Sequence, residues 1–138
     1  MNQSFFRDPG RSGIFHLPTL SRQAVEAAAA GLDIREADLR QSQDKQGVLN
    51  ELGHAFRFPD WYGANLDALY DCLTDPDWYP PGGQVLLISG LARLQGADPD
   101  SFSALLEVFS AASEARREAG APLWVLIDAA SPDLPALS

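Results

Sequence analysis

Residues 56–75 read FRFPDWYGANLDALYDCLTD, a run of aromatics and a proline leading into an amphipathic segment with an aspartate at nearly every turn. Pro59 and Gly63 bracket a bend, Gly63 supplying a backbone conformation that other residues resist, and Asn65 is placed to cap a helix starting at Leu66. That helix sorts its faces. Leu66, Leu69, Cys72 and Leu73 recur at three- and four-residue spacing and point to a core, whereas Asp67, Asp71 and Thr74 fall on another side, with Asp75 near its end. Carboxylates stacked one turn apart repel by roughly a few tenths of a kcal/mol per pair, so the face calls for an explanation.

Outward from this segment the chain alternates strands and helices. Upstream, DKQGVLNELGHAF (44–56) places Val48, Leu49, Leu52, Ala55 and Phe56 at helical spacing behind an Asp44 cap, with Pro59 ending the helix. LDIREADL (32–39) alternates as a strand with one polar face, LSRQAVEAAAAG (20–31) reads as a helix capped by Ser21 and stopped by Gly31, and GIFHL (13–17) is a short strand ended by Pro18. Residues 1–12 read as a loose, flexible arm. Downstream, DPDWYPPGG (75–83) is a loop, and QVLLISG (84–90) and PLWVLID (122–128) are apolar strands of the kind buried on both faces. Between them, residues 97–120 form the longest helix, with Asp98 as cap, Pro99 in the first turn and Gly120 as the stop. This alternation predicts one α/β domain over 13–138, a small, mostly parallel sheet of three to four strands flanked by helices.

At 138 residues the chain is long enough to bury about two thirds of its unfolded surface, and 46% apolar against 21% charged residues is the balance of a globular protein. No apolar run reaches the length of a membrane span, and MNQSFFRDPGRSG lacks the basic start and apolar stretch of a secretory signal, so a cytoplasmic location is expected. Cys72 is the sole cysteine, which rules out an internal disulfide and a cysteine-based zinc site. The net charge of −9 is concentrated: between Phe58 and Ala115, Asp60, Asp67, Asp71, Asp75, Asp77, Asp98, Asp100, Glu107 and Glu114 face only Arg93. Such a field repels nucleic acid and anionic lipid and draws in a basic partner, unless it is merely a charge for solubility.

Each acid has an ordinary explanation to be weighed. Asp67 in the first turn favours the helix dipole, but Asp71 lies a turn further on, and Asp75 and Asp77 sit near the carboxyl end, where negative charge is mildly unfavourable. A solvated face normally mixes signs, yet no lysine or arginine occurs from Phe58 to Ala92, so a partner that supplies the cations is the better account. Trp61, Tyr62 and Tyr70 complete the segment. Tyr62 suits a core pillar, while rings beside unpaired charges are the usual make-up of a protein–protein hot spot. An enzyme reading finds little: His16 and His54 lie outside the segment, Asp71, Asp75 and Asp77 do not fit a calcium loop, and no glycine loop cradles phosphate. Neither a catalytic residue, a metal nor a cofactor is expected.

FPDWYGANLDALYDCLTD (58–75) closely resembles the signature of the barstar family, intracellular inhibitors of small secreted bacterial ribonucleases of the barnase type. The resemblance extends less sharply over about 31–128, and the first thirty residues look like the additional strand and helix of longer barstar-like proteins. It implies an inhibitor that plugs a nuclease's active-site cleft with the acidic helix and the bend before it. By position, the family's contact residues fall on Trp61, Asp67, Tyr70, Asp71 and Thr74, with Asp75 at the helix end. Pro59, Tyr62, Gly63, Asn65, Leu66, Leu69 and Cys72 match positions that shape the bend and the core. Asp71 matches the aspartate that takes the place of the RNA phosphate, paired with the cleft's arginines and histidine.

Departures from the family pattern bear on the partner. Trp61 replaces a tyrosine, Tyr70 a tryptophan and Asp75 a glycine, the second cysteine is missing, and Glu114 is only one possible match for a glutamate contact on the long helix. Two readings stay open: an inhibitor of a barnase-type ribonuclease, or an immunity or regulatory module of the same fold that docks another basic partner such as a toxin nuclease. Neither binds nucleic acid or membrane.

Overall fold

The computed structural model describes residues 2–18, 21–42, 44–137. Four strands, β1 (Gly13–His16), β2 (Asp33–Asp38), β3 (Gln84–Ser89) and β4 (Leu123–Ile127), form one all-parallel sheet in the order β1-β4-β3-β2. The two apolar strands take the centre because each has both faces covered, with Val85 opposite Trp124 and Ile88 opposite Ile127. The alternating β2 takes an edge beside β3, its Ala37 buried and its Glu36 and Asp38 exposed. On the other edge, β1 is shielded by the carboxyl-terminal tail: His16 N–H donates to the Pro135 carbonyl at 2.9 Å and Leu137 N–H to the His16 carbonyl at 2.8 Å.

Helices α1 (Arg22–Ala28), α2 (Lys45–Phe56), α3 (Leu66–Leu73) and α5 (Pro99–Glu118) begin at the caps legible in the sequence. Ser21, Asp44, Asn65 and Asp98 each accept the backbone N–H three residues on, at 3.3, 2.7, 2.8 and 3.1 Å. Leu20, at the edge of the expected first helix, lies outside the described residues. Between β3 and α5 stands a helix that the sequence did not announce, α4 (Ala92–Ala97). It has no side-chain cap, contains Gly96 and buries only Leu94, so it leaves no periodic trace. Among the described residues no helix is long and apolar enough to cross a membrane.

Alternation along the central strands divides the core. Leu86, Ile88, Val125 and Ile127 face a layer of α2, α3 and α5 through Leu49, Leu52, Phe56, Leu69, Leu73 and Phe109. Val85, Leu87, Trp124 and Leu126 face the other way, onto Val25 and Ala29 of α1. A seven-residue helix is too short to cover that face, and described residues of the expected arm over 1–12 add to it. Phe5–Arg7 and Pro9–Arg11 form two 3-10 turns, and Phe5 and Phe6 are 8% and 4% exposed, with the Phe6 ring edge-on to Trp124 at 5.4 Å. Arg117 of α5 ties the segment down, donating through Nη2 to the Ser12 carbonyl at 2.8 Å. These two adjacent phenylalanines complete this layer.

Candidate functional site

The bend that carries α3 is built on the end of α2. That helix stops at Phe56, three residues ahead of Pro59, because Arg57 turns left-handed (φ 55°, ψ 51°) and Phe58 N–H reaches back to the Gly53 carbonyl at 3.0 Å. The Phe56 carbonyl, freed at the helix end, accepts both Trp78 Nε1 at 3.0 Å and Arg35 Nη1 at 2.8 Å. Phe58 packs edge-on between Tyr62 and Trp78, with ring centroids 4.8 and 5.0 Å away. Tyr62 is half-buried against Gly53 and donates its hydroxyl to the Leu49 carbonyl at 2.7 Å. Burial holds its phenol well above the ordinary tyrosine range.

Gly63 does not supply the left-handed residue expected of it; Ala64 does, at φ 52°. Space explains why position 63 still suits glycine, since a Cβ there would sit 3.2 Å from Asn65 Nδ2, beside the cap. Ala64 is held by packing against the core and by Gln46, whose Nε2 donates to the Ala64 carbonyl at 3.2 Å. An L-residue in this conformation costs about 1–2 kcal/mol, so the surroundings impose the turn.

Along α3, Leu69, Cys72 and Leu73 are completely buried, and Leu66 is partly so. Burial, with Asp75 and Asp71 adding negative field, pushes the Cys72 thiol up to about 11. On the outer side Asp67 and Asp71 are exposed, and no ion pair among the described residues reaches either. Among the described residues, Tyr70 at 36% and Trp61 at 54% are the large apolar side chains left exposed. Thr74 turns its hydroxyl back to the Tyr70 carbonyl at 2.8 Å, and the Asp75 carboxylate accepts Asp77 N–H at 2.9 Å. Both are half-buried at the carboxyl end of the helix.

Packing of α5 beside α3 adds a residue that sequence reasoning did not single out for this site. Glu107 lines a groove of about 610 Å3 together with Leu66, Asp67, Tyr70, Asp71 and Val108. Glu114, from the sequence only one possible match for a long-helix contact, does not line it, and seven residues of helix place it about 10 Å further along the axis. Seven residues are two turns, so both glutamates lie on nearly the same face of α5 and it is their position along its axis that separates the two. The groove therefore gathers three carboxylates from two helices with an aromatic ring among them.

Beneath the carboxyl end of α3 lies Arg116, 1% exposed. Its Nη1 donates to the Leu73 carbonyl at 3.2 Å and to Gln84 Oε1 at 3.0 Å, its Nε to the Ala121 carbonyl at 2.8 Å, and its guanidinium lies over the Tyr79 ring at 4.0 Å. Burial lowers its pKa to about 10. A cation there suits the negative end of the helix dipole. His54 is exposed on α2 and His16 ends β1, so the two histidines belong to separate elements. No group of three or more His, Cys, Asp or Glu arranged to hold a metal ion occurs among the described residues.

The site is thus carried by an all-parallel α/β sheet: a helix whose outer carboxylates have no ion pair among the described residues, with Tyr70 on it and Trp61 on the bend before it exposed. The chain belongs to the barstar family: the family model, Barstar (barnase inhibitor), matches residues 32–128, from the start of β2 to the end of β4. It is thus a barnase-inhibitor-like protein, with β1, α1 and the amino-terminal turns lying ahead of the matched span. A search of curated proteins returned no match.

Proposed function

We propose that this protein inhibits a small secreted barnase-type ribonuclease in the cytoplasm of the cell that produces it, by laying α3 and the preceding bend into the nuclease's basic cleft. The observation that carries the reading is the convergence of Asp67, Asp71 and Glu107 on one groove that no lysine or arginine among the described residues lines. A cleft that binds RNA must hold cationic side chains against phosphates, and a rigid row of carboxylates offers those cations the same charge without a cleavable bond. Asp71, one turn inside the helix, takes the phosphate position. Tyr70, in the same groove, and Trp61, on the bend, exclude water, which strengthens each charge pair, while Thr74 and Asp75 contact the rim.

Preorganisation supports the same reading. The Asn65 cap, the buried Leu69 and Leu73 and the Arg116 pin hold α3 in place before any partner arrives, so little ordering cost falls on association. The one-signed field should steer a cationic nuclease toward this face. The departures at Trp61, Tyr70 and Asp75 favour a second reading of the same surface, an immunity or regulatory module for another basic partner such as a toxin nuclease.

Titration of the purified protein into a panel of barnase-type ribonucleases, with RNA cleavage followed and Asp71→Ala run alongside, tests the proposal. Stoichiometric inhibition by the wild type, lost in the variant, is expected. Failure to inhibit any panel member would shift the function to the second reading, whose partner is then sought by pull-down.

A further inference from the structure

A second groove, of about 380 Å3, is lined by Arg35, Arg57, Trp61, Asp75, Asp77 and Trp78. Its two cations are in different states. Arg35 is engaged, with Nε on Asp33 at 3.1 Å, Nη1 on the Phe56 carbonyl at 2.8 Å and its guanidinium over Trp78 at 4.9 Å. Arg57 is exposed and makes no ion pair or side-chain hydrogen bond among the described residues, although two carboxylates line the same groove. Its backbone is the left-handed terminus of α2, a position where glycine would avoid a strain of about 1–2 kcal/mol. An arginine kept there at a cost to stability, unpaired and beside the most exposed ring of the molecule, has its use outside the fold.

We propose that this groove extends the partner surface and that Arg57 determines specificity by pairing with an acidic side chain at the rim of the ribonuclease's basic cleft. The inference rests on the function proposed above. Continuity carries it: Trp61 and Asp75 belong both to the expected contact set and to this groove. Charge complementarity then fixes the occupant. Facing a uniformly basic rim, Arg57 would be repelled and its removal would tighten binding; facing a rim that alternates signs, Arg57 takes a carboxylate while Asp75 and Asp77 take a cation.

Arg57→Gly, Arg57→Asn and Arg57→Lys, with Asp71→Ala as reference, would be assayed for melting temperature and for affinity toward the tightest-binding ribonuclease of the panel. Expected for Arg57→Gly are a melting temperature a few degrees higher and about tenfold weaker binding, a loss shared by Arg57→Asn, which tolerates the same backbone, and largely spared in Arg57→Lys. Unchanged or tighter binding by both neutral variants, with Asp71→Ala still impaired, overturns the role of Arg57 and leaves the acidic-helix reading intact. If no ribonuclease binds the wild type, both fall together.

Discussion

Arg116 Nη1 and the Leu73 carbonyl, 3.2 Å apart, join the buried end of α5 to the last turn of the acidic helix α3. The relationship sets a cation directly under a surface that is otherwise one-signed, and it does so without a carboxylate in contact, the remaining bonds going to the Ala121 carbonyl and Gln84. A charge so enclosed is expensive to bury, and its value lies in where it holds the helix.

Replacing Arg116 should therefore test positioning apart from chemistry. Arg116→Met removes the burial cost of the charge but leaves three oxygen acceptors without their donor, and a net loss of about 2–3 kcal/mol is expected in urea unfolding. Under conditions where the variant is still folded, nuclease binding should weaken although Arg116 is not itself exposed. Affinity equal to wild type would show that α3 keeps its place without the pin.

The packing of Tyr62 on Gly53 reverses an ordinary expectation from helix propensity. In the middle of α2 alanine would normally improve on glycine by about 1 kcal/mol, but a Cβ at 53 would meet Tyr62 Cε2 at 2.6 Å and force the ring off the helix. Gly53→Ala should destabilise by about 1–3 kcal/mol, and combining it with Tyr62→Ala should cost less than the sum of the two single changes. Additive costs in that cycle would deny the contact.

Alkaline pH should loosen the protein through Cys72. Its thiol is raised from 9.0 to about 11, so the folded state keeps the proton longer than the unfolded chain does. The associated stability is complete below pH 9 and is lost as pH rises through 11, at up to about 1.4 kcal/mol per pH unit in that window. Tyr62, also raised, adds a loss that begins only above pH 10. Chemical denaturation from pH 8 to 10 should show the decline in the wild type and a flatter profile in Cys72→Ala. Parallel profiles would assign the decline to other groups.

Partner affinity should distinguish the carboxylates by their place in the groove. Asp71→Ala is expected to cost about 2–5 kcal/mol of binding, a range drawn in part from a complex of this same family, and Glu107→Ala about 1–2. Asp77→Ala and Glu114→Ala should each change affinity by less than about 1 kcal/mol. Calorimetry or surface-binding measurements on folded variants give the ranking. Association rates measured over a salt series should fall steeply with ionic strength, and a rate indifferent to salt would contradict steering by this face.

How much of this was readable in advance depended on range. The four caps, the apolar centre strands and the buried face of α3 come from rules acting within one or two turns, and Asn65, Asp44 and Asp98 behave in the fold as they do on paper. The left-handed residue in the bend was misplaced from Ala64 to Gly63, because glycine permits that conformation whereas packing around Ala64 and Gln46 compels it. α4, with one buried leucine and no cap, had no local signal to read.

The sequence by itself determined the α/β alternation, the helix starts and the charged and apolar faces of the segment from Phe56 to Asp75, since these follow from spacing and side-chain chemistry along the chain. Only the tertiary structure decided that Phe5 and Phe6 close the layer over Trp124, that Glu107 rather than Glu114 joins Asp67 and Asp71, and that Arg116 is buried beneath Leu73. Those outcomes depend on where along their lengths and at what phase distant elements meet: a helix rotated by one residue turns its neighbour a side chain about 100° away, and one slid by two turns presents the same face about 10 Å further on.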